Sequence, residues 1–555
     1  MDKSSPYNEY PRPAFKRDSF FSLNGEWDFA YSENEPQTYP EKILVPFPPE
    51  SMLSGIERGH KDEEKLYYRR IFAIPQGFKK DKIILHFGAV DQMCEVFING
   101  EKIGEHVGGY LPFSFDVTDK ISDRENEIKV IATDTLCHTF TYGKQRKDRG
   151  GMWYTPVSGI WQTVWIESIP ENAIEKIRIT PSLSSVKIEV TSLAYHKKLT
   201  LSETGEVFEF DGDSITFSPK CIKLWTPENP HLYYFTLETE TDRIESYFAL
   251  REISVKDCGG VPRICLNGEP YLFHGLLDQG YFPDGIFLPA TSEGFEYDIK
   301  TAKELGFNTL RKHIKIEPPV FYYLCDKLGM VVFQDMVNNS DYSFFRDTAL
   351  PTVAFKKLND KNFHKNPVSR EFFINQMKET ILHLYNYPSV LYYTIFNEGW
   401  GQFSADEVYE MAKTFDKTRV FDATSGWFWQ KKSDVDSHHV YFKKLKMKVG
   451  VKRPAVISEF GGYSYRVGGH LFGDKNYGYK TFTEKGQFNT ALENLYINEV
   501  LPLVRNGVSA LIYTQVSDIE DETNGLMTYD RKVIKANKEL MQRIAKELYS
   551  ASEKK

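Results

Sequence analysis

Ser389-Val-Leu-Tyr-Tyr-Thr-Ile-Phe-Asn-Glu-Gly-Trp400 and Pro454-Ala-Val-Ile-Ser-Glu-Phe-Gly-Gly462 are the two stretches that decide the fold of this chain. In each, a run of apolar residues ends in a glutamate, Glu398 or Glu459, and glycine follows within two residues. A parallel strand that is buried on both faces has this continuous apolar pattern. Because α/β barrels present catalytic groups at the carboxyl ends of their strands, the two stretches predict a barrel with two acids on its catalytic rim.

The sequence around these stretches alternates short apolar runs with helical patterns from Leu266 onward, which is typical of βα units. The predicted strands are residues 271–273, 308–311, 330–334, 390–396, 420–422, 435–440, 455–458 and 510–515. The main predicted helices are residues 292–305, 320–328, 369–385, 405–416, 484–505 and 532–548. Eight strands over about 290 residues match a (β/α)₈ barrel, which we assign to residues 257–555.

The chain before the barrel is rich in short strands without a helical period, which predicts β-sandwiches. We assign a first sandwich to residues 1–170, in which Asn99-Gly100 is a strong signal for a two-residue hairpin turn. Residues 171–256 form a second group of strands, and its length suits an immunoglobulin-like sandwich.

Composition excludes several classes of function. The 555 residues carry a net charge of −8 without a dominant basic stripe, which argues against nucleic-acid binding. No apolar stretch is long enough for a membrane span, and the first residues have no apolar signal region, so we expect a cytoplasmic protein. The six cysteines show no metal-binding spacing and are expected to be reduced thiols. The sequence therefore predicts neither a metal nor a cofactor.

Two acids that meet on one barrel rim are suited to glycoside hydrolysis. Glu398 and Glu459 are distant in sequence, so only barrel closure can bring them to one bound sugar. Retaining hydrolysis needs one carboxylate that attacks the anomeric carbon and one acid that protonates the leaving oxygen, about 5–5.5 Å apart. We assign Glu398 as acid/base and Glu459 as nucleophile, and we expect Asn397 to bind the sugar 2-hydroxyl. The alternative is that each glutamate merely ends a strand at a solvated loop.

The chain resembles glycoside hydrolase family 2 over essentially its full length. Asn397-Glu398-Gly-Trp is similar to the acid/base motif of that family, and Ser458-Glu459-Phe-Gly-Gly is similar to its nucleophile motif. Further similar stretches are Leu23-Asn-Gly-Glu-Trp-Asp-Phe29, Phe97-Ile-Asn-Gly-Glu-Lys-Ile-Gly104, Ser158-Gly-Ile-Trp-Gln-Thr-Val-Trp-Ile166 and Tyr322-Tyr-Leu-Cys-Asp-Lys-Leu-Gly-Met-Val-Val-Phe-Gln-Asp335. The resemblance implies an N-terminal jelly roll, an immunoglobulin-like domain, a catalytic (β/α)₈ barrel and retention of configuration.

The resemblance and the strand ends suggest further site residues. His313 occupies a position similar to the strand-two histidine of the family, and Asp278 follows strand one, where the family places a ligand of a sugar hydroxyl. Asp335 is expected to orient Arg311. An aromatic floor around the sugar is predicted from four residues, namely Trp427, Trp429, His438 and Tyr513. For each of these residues, packing in the core or in a loop is the alternative.

The substrate class is the most open question in the sequence. Family β-glucuronidases carry Asn-x-Lys after strand eight, whereas this chain has Asp521-Glu-Thr-Asn-Gly-Leu-Met-Thr-Tyr-Asp-Arg531, whose acids would repel a uronate. Lys312 and Lys315 follow strand two, and either of them pointing inward would favour a uronate. We predict an exo-acting hydrolase of β-galactosides. The alternatives are a β-hexuronidase, an arabinosidase, or a non-catalytic carbohydrate-binding protein. The partner is then a carbohydrate, and a homo-oligomer is left open.

Overall fold

The computed structural model describes residues 6–353, 357–441, 443–447, 449 and 452–553. It confirms the predicted fold class, with two β-sandwiches followed by an eight-stranded parallel barrel. Among the described residues, no helix is both long and apolar enough to cross a lipid bilayer.

The first sandwich packs a four-stranded sheet against a six-stranded sheet. Its strand orders are β1-β12-β5-β9 and β3-β2-β4-β10-β7-β8, with β6 and β11 as a separate pair. The Asn99-Gly100 turn joins β7 and β8, and both residues have positive φ, as the predicted hairpin turn requires. The strands are β1 (Phe20–Ser22), β2 (Gly25–Ser32), β3 (Glu41–Val45), β4 (Lys65–Ala73), β5 (Lys82–Phe87), β6 (Val90–Asp91), β7 (Met93–Ile98), β8 (Glu101–Val107), β9 (Phe113–Asp116), β10 (Glu125–Thr133), β11 (Gly159–Ile160) and β12 (Val164–Ile169), with a 3₁₀ turn at Met52–Ser54.

The second sandwich has a three-stranded sheet and a four-stranded sheet, in the orders β13-β14-β17 and β16-β15-β18-β19. Its strands are β13 (Lys176–Pro181), β14 (Val186–Thr191), β15 (His196–Leu201), β16 (Val207–Asp211), β17 (Ser214–Phe217), β18 (Tyr233–Glu238) and β19 (Arg243–Phe248). A small sheet of β20 (Ile253–Cys258), β21 (Val261–Leu266) and β22 (Glu269–Pro270) then leads into the barrel. The limit that we draw at residue 257 therefore falls inside β20.

The barrel strands run in the order β27-β26-β25-β24-β23-β32-β29-β28, so the barrel is open only between its fifth and sixth strands. Hydrogen bonds still cross this opening, since the Asp434 amide donates to the Phe421 carbonyl (3.0 Å). In chain order the eight strands are β23 (Phe273–Asp278), β24 (Thr309–Lys312), β25 (Val331–Asp335), β26 (Val390–Asn397), β27 (Val420–Ser425), β28 (Asp436–Val440), β29 (Ala455–Gly461) and β32 (Ala510–Thr514), with β30 (Tyr463–Tyr465) and β31 (Lys480–Phe482) paired above the rim.

The barrel helices follow the predicted order. They are α1 (Glu293–Glu304), α2 (Pro319–Leu328), α3 (Leu350–Val353), α4 (Pro367–Leu384), α5 (Ala405–Phe415), α6 (Lys485–Leu495), α7 (Leu501–Arg505) and α8 (Lys538–Ser552). Two π-helical turns, Phe344–Ala349 and Tyr496–Val500, precede α3 and separate α6 from α7. The long helix predicted for residues 484–505 is thus one helical path with a π turn in its middle.

Barrel strand one lies further along the chain than predicted, because a glycine hides it from a search for apolar residues. Gly275 sits in the middle of β23, and a Cβ there would meet the Ile512 side chain at 2.7 Å and the Thr309 carbonyl at 2.8 Å. Only glycine allows the neighbouring strands to approach this closely. The strand continues past Gly275 to Asp278, which pairs with Lys312 of β24 and brings this carboxylate to the catalytic rim.

The first sandwich contributes a loop to the barrel rim, residues 141–155, which we call the sandwich loop. The Tyr142 amide donates to the Asn338 carbonyl (3.1 Å), and the Thr155 amide donates to Glu520 (2.9 Å). Gly143 has a φ of +64°, and a Cβ there would meet the Ile314 carbonyl at 2.8 Å. Glycine thus permits both the turn and the close contact with the barrel.

Candidate active site

Glu398 directly follows barrel strand four and turns towards the strand-six side of the rim. Its φ of +52° lies in the left-handed region, which is strained for a residue with a side chain. Its amide donates to the Ser425 carbonyl (2.9 Å), and its carbonyl accepts a hydrogen bond from Trp427 Nε1 (3.0 Å). Side chains along a strand point alternately to opposite faces, and this turn ends that alternation. Asn397 and Glu398 can therefore both direct their side chains to the rim although they are adjacent.

Glu459 lies inside barrel strand seven, and a bulge directs its side chain. The register of β29 shifts between Ile457 and Phe460 against β32, and β28 shifts against it between His438 and His439. A bulge adds one residue and re-aims the side chains beside it. As a result, Glu459 pairs with His439 across the strands and reaches the centre of the rim.

The two glutamates meet around His439. One carboxylate oxygen of each glutamate and one ring nitrogen of His439 lie within 4.8 Å of one another. His439 Nδ1 is 2.8 Å from Glu398 Oε1 and 3.5 Å from Glu459 Oε2. Because Arg311 Nη1 can only donate, the contact at 3.4 Å makes His439 Nε2 an acceptor and places the ring proton on Nδ1. His439 then donates its proton towards Glu398.

Arg311, on barrel strand two, holds the nucleophile candidate from the other side. It pairs with both oxygens of Asp335 at 3.0 and 2.9 Å, and its Nη1 donates to Glu459 Oε1 at 3.0 Å. Its Nη2 donates to Asn397 Oδ1 (2.8 Å). Asn397 Nδ2 is buried and has no hydrogen-bond partner among the described residues, so it can donate to a sugar hydroxyl.

The surroundings of Glu459 set its protonation. Burial raises the pKa of Glu459 above its usual range, whereas His439, Arg311 and the hydroxyl of Tyr441 hold the rise back. Tyr441 donates its hydroxyl hydrogen to Glu459 Oε2 and is also 2.9 Å from Thr514 Oγ1. Each of these donors favours the carboxylate over the acid, so they oppose the effect of burial.

His313 and Asp335 also belong to this cluster. His313 Nδ1 is 2.6 Å from Asp335 Oδ2, and burial lowers the pKa of His313 to about 3. The ring is therefore neutral and gives its Nδ1 proton to Asp335, so Nε2 can accept a hydrogen bond from a sugar hydroxyl.

Asp278, Lys312 and Lys315 form a separate buried cluster with Glu317. Lys312 Nζ lies 2.7 Å from Asp278 and 2.8 Å from Glu317, and Lys315 Nζ donates to the carbonyls of Gly280 and Phe287 at 2.6 Å. Burial lowers the pKa of Lys315 to about 8, although Glu317 opposes the shift. Both ammonium groups are matched within the cluster, so neither lysine offers a cation beside Glu459.

The four residues predicted as an aromatic floor are not brought together under the glutamate pair. Trp427 packs its ring 5.7 Å from His439 and donates to the Glu398 carbonyl, so it supports the pair from behind. Trp429 and His438 contact each other at 4.8 Å. Tyr513 is fully buried between Phe460 and Tyr496 in the core. In β28, Ser437 and His439 are buried whereas His438 is half-buried, because side chains alternate along a strand.

The site contains residues that the sequence does not predict. The aromatic side chains near the pair are Tyr441 and Tyr479, stacked at 3.8 Å, together with Trp153, Tyr342 and Trp400. His439 and Tyr441 could have been found from the polar alternation Ser437-x-His439-x-Tyr441. Trp153 and its neighbour in the sandwich loop, Lys144, carry no such signal because they come from another domain.

The same three residues, Glu398, His439 and Glu459, could in principle hold a cation. They are the one group of this kind among the residues that the structure describes. However, Arg311 already donates to Glu459 and to His439, and Tyr441 occupies the second oxygen of Glu459. These residues already accept hydrogen bonds from N–H and O–H groups of the protein. This arrangement suits proton transfer and nucleophilic attack better than the binding of a metal ion.

Replacing Tyr441 with phenylalanine is expected to move the acid limb of kcat/KM to higher pH and to lower kcat about tenfold. The nucleophile must be ionised, and the loss of the hydroxyl donor raises the pKa of Glu459 further. Activity then appears only at a higher pH than in the wild type. The measurement is a kcat/KM profile from pH 4 to 9. Tyr463→Phe is the control, because the Tyr463 ring packs on Phe482 and the acid that acts on its hydroxyl is Glu499. An unchanged acid limb in Tyr441→Phe would contradict the assignment.

Comparison with known families identifies two regions of the chain. Residues 57–162 match the family model described as a glycosyl hydrolase 2 galactose-binding domain-like domain. Residues 263–547 match the model of the glycosyl hydrolases family 2 TIM barrel domain, which is slightly more than half of the chain.

Curated relatives carry two different activities in their names. A β-galactosidase of Thermoanaerobacter pseudethanolicus is 26% identical over 72% of this chain and 54% of its own length. A β-glucuronidase of Streptococcus agalactiae is 22% identical over 68% of this chain and 66% of its own length. The chain spans about half the length of the first of these relatives.

Solved structures share the fold over nearly the whole chain. A β-D-glucuronidase of Dictyoglomus thermophilum superposes with a TM-score of 0.76 at 19% identity, covering 97% of this chain and 98% of that one. A family 2 β-galacturonidase of Eisenbergiella tayi, bound to galacturonate, has a TM-score of 0.69 at 19% identity, covering 98% and 99%. At such identities the likeness establishes the architecture alone.

Proposed function

The chain belongs to glycoside hydrolase family 2, and on that premise we propose that it is a retaining, exo-acting hydrolase of terminal β-glycosides, with β-galactosides as its preferred substrates. The observation that carries this proposal is the approach of Glu398 and Glu459 around His439, within 4.8 Å for one oxygen of each. So close an approach of one oxygen from each carboxylate agrees with the ~5–5.5 Å between the carboxyl groups of retaining enzymes better than with the ~6.5–9.5 Å of inverting enzymes.

In the proposed reaction, Glu459 attacks the anomeric carbon while Glu398 protonates the leaving oxygen, which gives a covalent glycosyl-enzyme. Glu398 then takes a proton from water, and the water hydrolyses the intermediate. Arg311 orients Glu459, and Asn397 Nδ2 donates to the 2-hydroxyl, where hydrogen bonds strengthen in the transition state.

Support for a neutral sugar comes from the charges around the pair. Lys312 and Lys315 are matched by buried acids, so the cation that would favour a uronate does not come from strand two. Glu522, after strand eight, is buried and close enough to Lys144 and Tyr154 to interact with both. A buried acid here disfavours a carboxylate on the sugar.

A β-hexuronidase is the second candidate, because one cation does remain near the site. Lys144 of the sandwich loop is buried, and its charge is felt by Glu398, Glu459 and Glu522. The solved structures described as β-glucuronidase and β-galacturonidase share this architecture.

The test is hydrolysis of a panel of 4-nitrophenyl glycosides, namely β-galactoside, β-glucuronide, β-galacturonide, β-mannoside, β-glucoside and the α-L-arabinosides. We expect the β-galactoside to give the highest kcat/KM, with a β-configured sugar as the first product in an NMR time course. If the β-glucuronide or the β-galacturonide gives the highest kcat/KM, the second candidate replaces the galactoside proposal. An α-configured first product would contradict retention.

A further inference from the structure

The sandwich loop inserts one lysine into the catalytic rim. Lys144 is only 6% exposed, and its ammonium lies 4.6 Å from the centroid of the Trp400 ring and 5.8 Å from that of Trp153. Trp400 follows Glu398 by two residues, so the ammonium belongs to the surroundings of the glutamate pair. The backbone of Lys144 is fixed, since its carbonyl accepts a hydrogen bond from the Tyr154 amide (3.0 Å).

The side chain of Lys144 is almost wholly buried, whereas its ammonium nitrogen keeps a small exposed area and has no hydrogen-bond acceptor among the described residues. Within the ranges that the structure describes, no oxygen accepts a hydrogen bond from its Nζ, and no carboxylate lies within 4.0 Å of it. Its described partners are the two indole rings. An ammonium has three donors and normally directs them to acceptors, and here the protein supplies none of them. This feature points to acceptors that a ligand supplies.

Glu522 lies close enough to Lys144 for their charges to interact, and its carboxylate can accept further hydrogen bonds. Its Oε1 accepts a hydrogen bond from Asn524 Nδ2 (2.9 Å), and its Oε2 accepts one from the Tyr154 hydroxyl. Each carboxylate oxygen can accept a second hydrogen bond. Burial raises the pKa of Glu522, and the charge of Lys144 opposes the rise. The indole Nε1 of Trp400 is a further buried donor without a partner among the described residues.

We propose that Lys144 and Glu522 recognise the glycone together, by holding hydroxyl groups of a neutral hexopyranose and rejecting the carboxylate of a uronic acid. This inference rests on the proposed function and deepens it. A sugar hydroxyl both donates and accepts, so neighbouring hydroxyls satisfy a donor-only ammonium and an acceptor-only carboxylate at once. A uronate carboxylate only accepts. It would satisfy Lys144 but would stand beside Glu522, where like charges repel.

The two acids next to Glu522 have other partners, which makes the proposal specific. Glu520 accepts from the Thr155 amide (2.9 Å), and Arg149 lies 3.4 Å from Glu520 and 3.7 Å from Asp521. These acids thus fasten the sandwich loop to the barrel. Glu522 is the acid of this group that shares the space of Lys144.

The test is direct binding of D-galactose and D-galacturonate by calorimetry, with the wild type, Lys144→Met and Glu522→Gln. We expect the wild type to prefer galactose. Lys144→Met should weaken galactose binding about 30-fold or more, because methionine keeps the stem and removes the donors. Glu522→Gln should reduce the preference for galactose over galacturonate at least tenfold, because the repelling charge is gone while the shape remains.

Two matched controls separate this role from a general loss of structure. Lys147→Met makes the same change on the same loop at a lysine that is half-exposed and paired with Asp62, and Glu520→Gln removes a neighbouring acid. Both should leave the galactose-to-galacturonate ratio unchanged. Thermal unfolding of each variant reports its folded fraction, and a ratio of two affinities does not depend on that fraction.

The outcomes distinguish this inference from the proposed function. Hydrolysis that depends on Glu459, with unchanged galactose affinity in Lys144→Met and an unchanged galactose-to-galacturonate ratio in Glu522→Gln, would overturn the role of Lys144 and Glu522 and leave the glycosidase proposal intact. A wild type that binds galacturonate more tightly than galactose would overturn both the pair and the galactoside preference. If the wild type binds galactose without hydrolysing any substrate, and Lys144→Met loses that binding, the role of Lys144 and Glu522 stands and the proposed reaction is wrong.

Discussion

Glu459→Gln is expected to lower kcat on every substrate roughly 10⁵-fold, because glutamine offers no nucleophile for the anomeric carbon. The amide keeps an oxygen for Arg311, whose Nη1 donates to Glu459 Oε1 at 3.0 Å, so the surrounding bonds can persist. KM should change far less than kcat, since the sugar contacts that we propose for Asn397 and His313 would remain. The measurement is steady-state hydrolysis of the best substrate in the panel, with thermal unfolding to establish that the variant is folded.

Glu493→Gln provides the control for this experiment. Glu493 lies on α6 and pairs with Arg543 on α8, away from the rim, so the same change of glutamate to glutamine should leave kcat unaltered. Activity of Glu459→Gln within about tenfold of the wild type would contradict its role as nucleophile, because covalent catalysis supplies far more than that.

Glu398→Ala should give the second largest effect, and its size should depend on the leaving group. General acid catalysis contributes about 10²- to 10⁴-fold, and a poor leaving group needs all of it. Release of 4-nitrophenolate needs little protonation, so kcat on the nitrophenyl substrate should fall less than kcat on a disaccharide. His439 Nδ1, 2.8 Å from Glu398 Oε1, loses its partner in this variant but stays held by Ser425.

Azide tests the same assignment independently. In Glu398→Ala, a small anion can enter the vacated space and attack the glycosyl-enzyme without a base. Added azide should restore turnover of the nitrophenyl substrate and yield a β-glycosyl azide. No rescue, together with equal losses on both substrates, would remove Glu398 from the acid/base role and leave it with a structural one.

The sequence predicts the barrel and its two glutamates because strong local patterns encode both. A doubly buried strand needs a continuous apolar run, and a strand-end acid followed by glycine interrupts that run visibly. Barrel strand one escapes the same reasoning, because Gly275 is needed for close strand packing and leaves no apolar signal. Its end at Asp278 becomes clear only from the pairing of Asp278 with Lys312 of β24.

The remaining site residues depend on features that no local pattern carries. The bulge around Ser458 and Glu459 decides which residues of β28 and β29 face each other, and thereby selects His439 in place of His438. Lys312 and Lys315 are placed near the rim by sequence, but their burial with Asp278 and Glu317 is a tertiary result. Lys144 and Trp153 reach the rim from a different domain, so their sequence neighbours indicate nothing about a sugar.

The sandwich loop has a thermodynamic consequence for the whole molecule. If a sugar gains free energy from Lys144, then by linkage the same free energy is added to the docking of the first sandwich on the barrel, because binding couplings are reciprocal. The ligand would stabilise the contact between the first sandwich and the barrel. When no sugar is bound, the contacts of Arg149 with Glu520 and Asp521 would stabilise it instead. A barrel expressed without its first sandwich would lose part of its binding site as well as a neighbour.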